Sequence, residues 1–212
     1  MKSSLRQVIV PQFGQPTGLV GRLVGLVMAT RPSNRERNRR TIELLEIQPD
    51  DRILEIGYGP GLAIQWAAER AVRGKVVGVD HSDLMQRQAA RRNARGSEAG
   101  LVELHIASVD AMPAFDSPFD KVFAVNVHLF WPDPVRVLAR LAAVMKPGGT
   151  IALTFQPRTR GATNEDTRRG AEWIAESLRT AGFGDVRAEI LAMKPVDAVC
   201  VLGRLVPDRV RP

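Results

Sequence analysis

Three glycines at alternate positions form the strongest chemical signal of the 212-residue sequence. Gly57, Gly59 and Gly61 follow a short apolar run and precede a helical pattern. Glycine suits a turn whose backbone takes positive φ or touches a ligand directly. At the start of a helix, such a turn presents backbone N–H groups to a negative or polar group. The spacing therefore predicts a ligand-binding loop, with Glu55 two residues before the first glycine and Tyr58 inside the loop.

A carboxylate, Asp80, stands at the end of the next predicted strand. At such a strand end a carboxylate can accept hydrogen bonds from both hydroxyls of a ribose. A dinucleotide fingerprint would place its third glycine one residue after Gly61, where this chain has Leu62. A Tyr-Lys pair typical of nicotinamide-dependent reductases is not visible. The loop and the carboxylate together predict a ribose-containing ligand, and they disfavour a nicotinamide dinucleotide.

Alternating strands and helices are predicted to position these residues. The strands are predicted at residues 52–56, 75–79, 101–107, 121–127, 150–156, 186–193 and 198–205. The helices between them are predicted at residues 61–71, 82–95, 134–145 and 165–181. Near-continuous apolar strands that alternate with helices are typical of a parallel sheet covered on both faces. The sequence therefore predicts an α/β fold with a doubly wound, mostly parallel, seven-stranded sheet, whose last two strands form an antiparallel hairpin.

Residues upstream of this alternation are predicted to form a helical cap. Helical patterns at residues 18–29 and 36–47 precede the first strand. We therefore expect an N-terminal cap or lid over residues 1–48 and a single domain over residues 49–212. The cap would either cover the carboxyl end of the sheet, where ligands bind in such folds, or pack on a sheet face. Segment 18–29 is shorter than the roughly 20 residues of a membrane span, so no transmembrane segment is expected, although weak contact with lipid stays open.

Composition limits the partners and the location that the chain can have. Thirty Lys and Arg residues against 23 Asp and Glu residues give a net charge of +7. The arginines are spread along the chain, which is typical of solvated helix faces, so charge alone does not predict nucleic-acid binding. The single cysteine, Cys200, excludes a disulfide framework, and no Cys/His cluster has metal-ligand spacing. These features predict a cytoplasmic protein without a metal site.

In combination, four motifs resemble those of the class I S-adenosylmethionine-dependent methyltransferases, in particular the small-molecule and quinone-biosynthesis branch. The matching segments are Glu55–Gly61, Asp80–Met85, Phe119–Val122 and Lys146–Gly149. The resemblance implies a Rossmann-like sheet, S-adenosyl-L-methionine as the cofactor and S-adenosyl-L-homocysteine as the product. It covers about residues 50–157 well, and it does not identify the methyl acceptor.

The same resemblance implies a role for each residue of the glycine loop and for the carboxylate that follows. Asp80 would hold the ribose of the cofactor. The residues that would line its methionine part are Glu55, Gly57, Tyr58, Gly59 and Gly61. His81, next to the ribose carboxylate, would lie beside the adenine.

The adenine contact departs from the family pattern. After the third strand the family usually has Gly-Asp, whose carboxylate bonds the adenine amino group, whereas this chain has Ala107-Ser108. The resemblance then implies a weaker contact from the Ser108 hydroxyl or from the backbone of Val109. Asp110, two residues out of register, is the alternative.

The residues after the fourth strand are predicted to face the transferred methyl group. Asn126 is a predicted cofactor contact, and Phe130 and Trp131 would form apolar walls or core. His128 is the candidate general base because its unperturbed pKa lies near neutrality; a histidine that bonds locally or touches the cofactor is the alternative. Alignment alone can supply up to ~7–11 kcal/mol, so the chemistry needs no catalytic triad.

The expected function is therefore S-adenosylmethionine-dependent, in-line methyl transfer to a small-molecule acceptor. Two alternatives stay open: an RNA methyltransferase, and a non-catalytic S-adenosylmethionine-binding protein, which the Ser108 position would allow. Residues 126–129 read Asn-Val-His-Leu in place of the Pro-Pro-aromatic tetrad that amino methyltransferases of nucleic acids carry. This difference argues against nucleic acid as the partner. The sequence does not predict the oligomeric state.

Overall fold

A computed structural model describes residues 32–207 as one sheet with helices on both of its faces. The strands are β1 (Arg52–Ile56), β2 (Lys75–Asp80), β3 (Val102–Ile106), β4 (Phe119–Val125), β5 (Met145–Phe155), β6 (Phe183–Leu191) and β7 (Ala198–Leu205). The helices are α1 (Pro32–Leu44), α2 (Leu62–Ala68), α3 (Asp83–Arg92), α4 (Ala94–Glu98), α5 (Pro134–Ala143) and α6 (Asn164–Thr180). Short 3₁₀ turns lie at Val109–Ala111 and His128–Phe130. Across this part of the chain, no helix combines the length and the apolar character that crossing a membrane requires.

The strand order confirms the predicted α/β fold. It runs β3-β2-β1-β4-β5-β7-β6, with β1 to β5 parallel and β7 antiparallel to both β5 and β6. From β1 the chain adds β2 and β3 on one side of the sheet, and it then adds β4 on the other side of β1. The strand order therefore reverses between β1 and β4. In open α/β sheets, ligands bind at such a reversal, outside the carboxyl ends of the strands. The topology therefore brings the ends of β1, β2 and β4 to one edge of the sheet.

Strand β1 shows why the sheet needs helices on both faces. Successive side chains of a strand point to opposite faces, and both directions are apolar here. Ile53 packs with residues of α1 and α2, whereas Leu54 packs with residues of α5 and α6. Both side chains are fully buried.

Helix α1 packs on one face of the sheet, and its first turns reach the carboxyl edge. Ile42 belongs to the same core cluster as Ile53. In the preceding residue, Thr41, the hydroxyl lies 2.6 Å from that of Thr154 in β5. The predicted helix at 36–47 is therefore present, with bounds shifted toward the N-terminus. It packs on a sheet face and also reaches the carboxyl end of the sheet, which the sequence left as two alternatives. The predicted segment 18–29 lies outside the described residues, and the domain boundary at residue 48 stays a prediction.

Several strand boundaries differ from the sequence-based expectation, β6 for example beginning at Phe183 and not at residue 186, and two of the differences have a clear physical reason. Strand β4 was expected to reach Val127 but ends at Val125, because Asn126 takes a left-handed φ of +57°. Strand β5 begins at Met145, five residues before the expected start. Met145 pairs with Phe119 across a register shift in β4, so the Lys-Pro-Gly-Gly segment lies within the strand.

Candidate active site

The glycine turn after β1 packs against two other elements. The N–H of Gly57 donates to the carbonyl of Val79, at 2.7 Å. A Cβ at Gly57 would lie 2.5 Å from a methyl group of Val127, and a Cβ at Gly61 would lie 2.6 Å from the side-chain nitrogen of Asn93. Both positions therefore require glycine because of close neighbours.

Gly59 shares the positive φ of Gly57 and Gly61 but lacks their close neighbours. Its φ is +51°, a left-handed value that residues with a Cβ adopt at a cost. A Cβ at this position would meet no atom within 4 Å. The middle of the turn therefore borders open space, which is where a ligand held by the turn would lie.

Two residues of α3 and its C-terminus hold the turn, and the sequence analysis missed both. Asn93 is buried, and its side-chain nitrogen donates to the carbonyls of Gly61 (3.0 Å) and Ala89 (2.9 Å). The Nε of Arg92 donates to the carbonyl of Pro60 at 3.0 Å. Asn93 has a weak sequence signal, because asparagine is one of the residues found where helices end. Arg92 has none.

Asp80 connects the glycine turn to the start of α3. One carboxylate oxygen accepts from the N–H of Gly59 and the other from the N–H of Ser82, both at 2.9 Å. Each oxygen can accept a further hydrogen bond, since a carboxylate offers about four acceptor positions. The structure thus brings together the two motifs that the sequence singled out. The side chain of His81 is 73% exposed, with Nδ1 3.8 Å from Asp80.

Glu55 lies beneath the turn as a buried acid. It is 2% exposed, and its Oε2 atom has no hydrogen-bond partner in the described part of the chain. Burial and the negative charge of Asp80 raise the pKa of Glu55 well above its usual value. A cationic group beside Glu55 would relieve this cost. The ammonium group of an amino acid fits that requirement.

Tyr58 has its ring in the core. A Cβ at Gly78 would lie 2.6 Å from the Tyr58 ring, so that glycine in β2 makes the space for it. The Tyr58 hydroxyl donates to the carbonyl of His105 at 3.3 Å, and burial raises its pKa. A contact between Tyr58 and a cofactor would therefore come from its backbone.

The loop after β3 carries the residues predicted near the adenine. The N–H of Ala107 donates to the carbonyl of Asp80 at 2.9 Å, which keeps this loop beside the end of β2. Ser108 is exposed and precedes the 3₁₀ turn that contains Val109. The carboxylate of the alternative residue, Asp110, lies 3.2 Å from the guanidinium of Arg136. The contacts of Ser108 and Val109 with adenine stay predictions, and Asp110 already has an ion-pair partner.

Asn126 fastens the ends of β4 and β5 together. Its Oδ1 accepts from the N–H of Gln156 at 2.8 Å, and its Nδ2 donates to the carbonyl of the same residue at 3.3 Å. The next residue, Val127, is the one that contacts Gly57. Asn126 therefore determines how close the β4 loop lies to the glycine turn.

His128 lies in the interior among aromatic rings. It is 1% exposed, and the ring centroids of Trp131, Phe155 and Trp173 lie 6.2, 6.0 and 5.8 Å away. Neither ring nitrogen has a hydrogen-bond partner among residues 32–207. Burial lowers the pKa of His128 to about 3, which makes the imidazole a weak base. This placement disfavours the predicted role of general base, which stays to be tested.

Comparison with known proteins agrees with this geometry. A family model described as a methyltransferase domain matches residues 53–149. The chain is 33% identical over 183 residues to an uncharacterized methyltransferase of Bacillus subtilis, YdaC, and the match covers 86% of this chain and 97% of that protein. Nocamycin O-methyltransferase of Saccharothrix syringae is 36% identical over 153 residues, and the match covers 71% of this chain and 51% of that enzyme.

A solved structure shares the fold. The crystal structure of an S-adenosylmethionine-dependent methyltransferase from Aquifex aeolicus superimposes with a TM-score of 0.68 at 19% identity, over 86% of this chain and 98% of that one. The seven-stranded sheet with its antiparallel hairpin is thus common to both. The chain belongs to the class I S-adenosylmethionine-dependent methyltransferases, because the match to YdaC covers nearly the whole of that relative and the glycine turn and the strand-end carboxylate agree with it.

Proposed function

We propose that the chain transfers the methyl group of S-adenosylmethionine to a small-molecule acceptor, with the cofactor held by the glycine turn and Asp80. The observation that carries this proposal is the hydrogen bond between the N–H of Gly59 and the carboxylate of Asp80. It joins the two predicted binding motifs at the edge where parallel α/β sheets bind ligands.

Each residue of the site would then have a defined task. Bound S-adenosylmethionine supplies a methyl group activated by its sulfonium. The backbone from Gly57 to Gly61 would line the methionine part, and Glu55 would face its ammonium group. Asp80 would accept hydrogen bonds from the ribose hydroxyls. Alignment of donor and acceptor, together with exclusion of water, would then supply much of the rate.

A small-molecule acceptor is supported by the Saccharothrix relative, which is named nocamycin O-methyltransferase. The surface arginines also bear on the RNA alternative. Several of them pair with carboxylates on their own helices, for example Arg39 with Glu36 and Arg168 with Glu165. Such pairs are typical of a solvated helix face, and they leave less free positive charge for phosphates.

One cysteine bears on both mechanism and location. Cys200 is buried in β7, and burial raises the pKa of its thiol to about 12, which disfavours a thiolate nucleophile. A reduced, buried cysteine suits the cytoplasmic location that the sequence predicts, and that location stays a proposal.

Binding calorimetry with S-adenosylhomocysteine tests the site. We expect the wild-type protein to bind this product and Asp80→Ala to bind it at least tenfold more weakly, because two ribose hydroxyls lose their acceptor. Asp83→Ala is the matched control, since it removes an exposed carboxylate three residues along the chain. A folded wild-type protein that gives no heat of binding, or equal affinity in the two variants, would overturn the proposal.

Transfer of a labelled methyl group tests the acceptor class. We expect label to appear in small acidic, phenolic or amine acceptors from a mixed panel, and not in RNA. Salt-dependent retention on RNA is the accompanying measurement, because phosphate contacts weaken steeply as salt rises. Label in RNA, together with a steep salt dependence, would favour the alternative function.

A further inference from the structure

Arg37 is a buried cation at the carboxyl edge of the sheet. It is 1% exposed, its NH1 group donates to the side-chain oxygen of Gln156, and its NH2 group donates to that of Asn34 at 3.1 Å. Both partners are neutral amides. The Nε atom has no partner within the described residues, and a guanidinium has five N–H donors. Arg37 therefore retains hydrogen-bonding capacity for a further ligand.

The charge of Arg37 lacks a counterion in the part of the chain that the structure describes. Burial lowers its pKa to about 9, and the positive charge of Arg158 lowers it further; no carboxylate acts on it in the opposite direction. At neutral pH the guanidinium is still protonated. A buried charge without a partner is costly, and one that is paired and hydrogen-bonded is far less so. Among residues 32–207, Arg37 is thus a buried positive charge without an acidic partner.

Three intervening residues connect Arg37 to the glycine turn. Gln156 directly follows β5, and two hydrogen bonds tie its backbone to Asn126. Its side-chain nitrogen donates to the carbonyl of Val196 at 2.6 Å, which fixes the side-chain oxygen toward Arg37. Asn126 in turn precedes Val127, the neighbour of Gly57. A chain of direct contacts therefore links Arg37 to the turn.

We propose that Arg37 binds the carboxylate of a small-molecule ligand at this edge, with Arg158 adding positive charge. A guanidinium is suited to a carboxylate because two parallel N–H donors match its two oxygens. The inference rests on the proposed function, since that function brings ligands to this edge. Two sources share the chemistry: the amino-acid carboxylate of the cofactor and the carboxylate of an acidic acceptor.

Two ligands separate the cofactor carboxylate from the rest of the cofactor. S-adenosylhomocysteine carries the amino-acid part, whereas 5′-methylthioadenosine lacks it. If the cofactor is the source, calorimetry on Arg37→Gln will show at least tenfold weaker binding of S-adenosylhomocysteine and unchanged binding of 5′-methylthioadenosine. Arg39→Gln is the matched control, because that exposed arginine of the same helix pairs with Glu36 and Glu43.

A second measurement detects an acidic acceptor. If the acceptor is the source, S-adenosylhomocysteine binds Arg37→Gln normally, and benzoate or citrate raises the thermal midpoint of the wild-type complex but not that of the variant complex. Equal behaviour of Arg37→Gln and Arg39→Gln toward every one of these ligands would overturn the inference. Binding of 5′-methylthioadenosine to the wild-type protein reports on Asp80 and the glycine turn, so its loss would identify failure of the proposed function instead.

A purely structural role for Arg37 predicts a different outcome. If the hydrogen bonds to Gln156 and Asn34 were its purpose, Arg37→Gln without ligand would unfold at a lower temperature than Arg39→Gln, with no change in ligand selectivity. The inference expects the ligand-free midpoint to be equal or higher, because an unpaired buried charge is removed. If Arg37→Gln does not fold, Arg37→Lys replaces it, because lysine keeps the charge but not the paired donors. This variant should also lose part of the preference for ligands that carry a carboxylate. Unchanged selectivity in Arg37→Lys would then count against the inference.

Discussion

The carboxylates of Glu55 and Asp80 lie near the ends of neighbouring parallel strands, and the negative charge of Asp80 raises the pKa of Glu55. Their surroundings differ. Asp80 accepts two backbone N–H groups, whereas Oε2 of Glu55 has no partner within residues 32–207. The pair therefore concentrates acidic groups beneath the glycine turn, and within the described residues the charge of an ionised Glu55 is met only by a backbone hydrogen bond from Ile64. A cationic ligand would compensate it.

Glu55→Gln is expected to change how stability depends on pH. The folded pKa of Glu55 lies above its ordinary value of 4.5, so the stabilisation it contributes is complete below about pH 4.5. That contribution is lost as pH rises through the folded pKa. The ligand-free variant should therefore exceed the wild type in free energy of unfolding at pH 8, and by a smaller margin at pH 5. Urea denaturation at the two pH values measures this difference.

The same variant is expected to bind the cofactor less well. Replacing the carboxylate by an amide removes the proposed partner of the cofactor ammonium group, and such charged hydrogen bonds contribute about 1.5–3 kcal/mol. Calorimetry should therefore show about tenfold or greater weakening with S-adenosylmethionine. Glu98→Gln, at an exposed position of α4, serves as the control for both measurements. If the free energy of unfolding of Glu55→Gln and Glu98→Gln changed with pH in the same way, the stability prediction would be wrong. Equal cofactor affinity in the two variants would contradict the binding prediction.

Gly59 and Gly61 are expected to respond differently to substitution by alanine. At Gly59 a Cβ enters open space, and the cost is that of positive φ alone, about 1–2 kcal/mol. At Gly61 the Cβ also meets Asn93 and Ala89 within 3 Å, which adds about 1–3 kcal/mol of overpacking. Gly59→Ala should therefore fold and bind the cofactor weakly, and Gly59→Val should fold and not bind it. Gly61→Ala should unfold at a clearly lower temperature.

Gly100 provides the matched control for these glycine variants. It also has positive φ, +71°, and a Cβ there meets nothing within 4 Å. Gly100→Ala should lose as much stability as Gly59→Ala while binding S-adenosylhomocysteine normally. Equal thermal midpoints for Gly59→Ala and Gly61→Ala would show that the close contacts at Gly61 carry no cost.

The glycine turn and Asp80 could be predicted from sequence because their residue types are required locally. A glycine at positive φ and an acid at a strand end are visible in a few consecutive letters, and the surrounding alternation of strands and helices gives the sheet. The supporting residues could not be found in the same way. Asn93 and Gln156 act through partners more than 25 positions away, and nothing in their immediate neighbourhood in the sequence indicates those partners.

The start of β5 shows the same limit for secondary structure. Pro147, Gly148 and Gly149 are residue types that favour a turn, which is why the sequence predicts a break there. Pairing of Met145 with Phe119 extends the strand through them, and the ammonium group of Lys146 bonds a carboxylate of β4 at 2.7 Å. Tertiary pairing overrides local preference in such cases.

Asn126 is expected to stabilise the protein in two ways. Its side chain bonds Gln156, and asparagine tolerates the positive φ of this position better than alanine does. Asn126→Gly keeps a residue that tolerates φ of +57° but loses both hydrogen bonds to Gln156. It should therefore lose about 1–2 kcal/mol. Asn126→Ala loses the same bonds and adds backbone strain, so it should lose about 1 kcal/mol more. Chemical denaturation compares the two variants, and equal losses would mean that backbone strain at this position is negligible.

His128 is expected to make the protein less stable as the pH falls. Its folded pKa of about 3 lies below the ordinary value of 6.5, so the unfolded chain takes up a proton in this range and the folded chain does not. Between pH 7 and pH 5 the free energy of unfolding should therefore decrease by about 2 kcal/mol on account of this residue. The groups around it, Trp131, Phe155 and Trp173, carry no titratable proton in this range.

His128→Phe tests this origin, because phenylalanine fills a similar space among the rings without an ionisable group. Glu55 contributes with the opposite sign over the same range, so the measured quantity is the difference between variant and wild type, which should grow as the pH falls. His81→Phe, at an exposed position, should follow the wild type. If His128 were the general base, His128→Phe would also lose methyl transfer by orders of magnitude while binding S-adenosylhomocysteine normally. The buried, weakly basic imidazole leads us to expect loss of less than about tenfold.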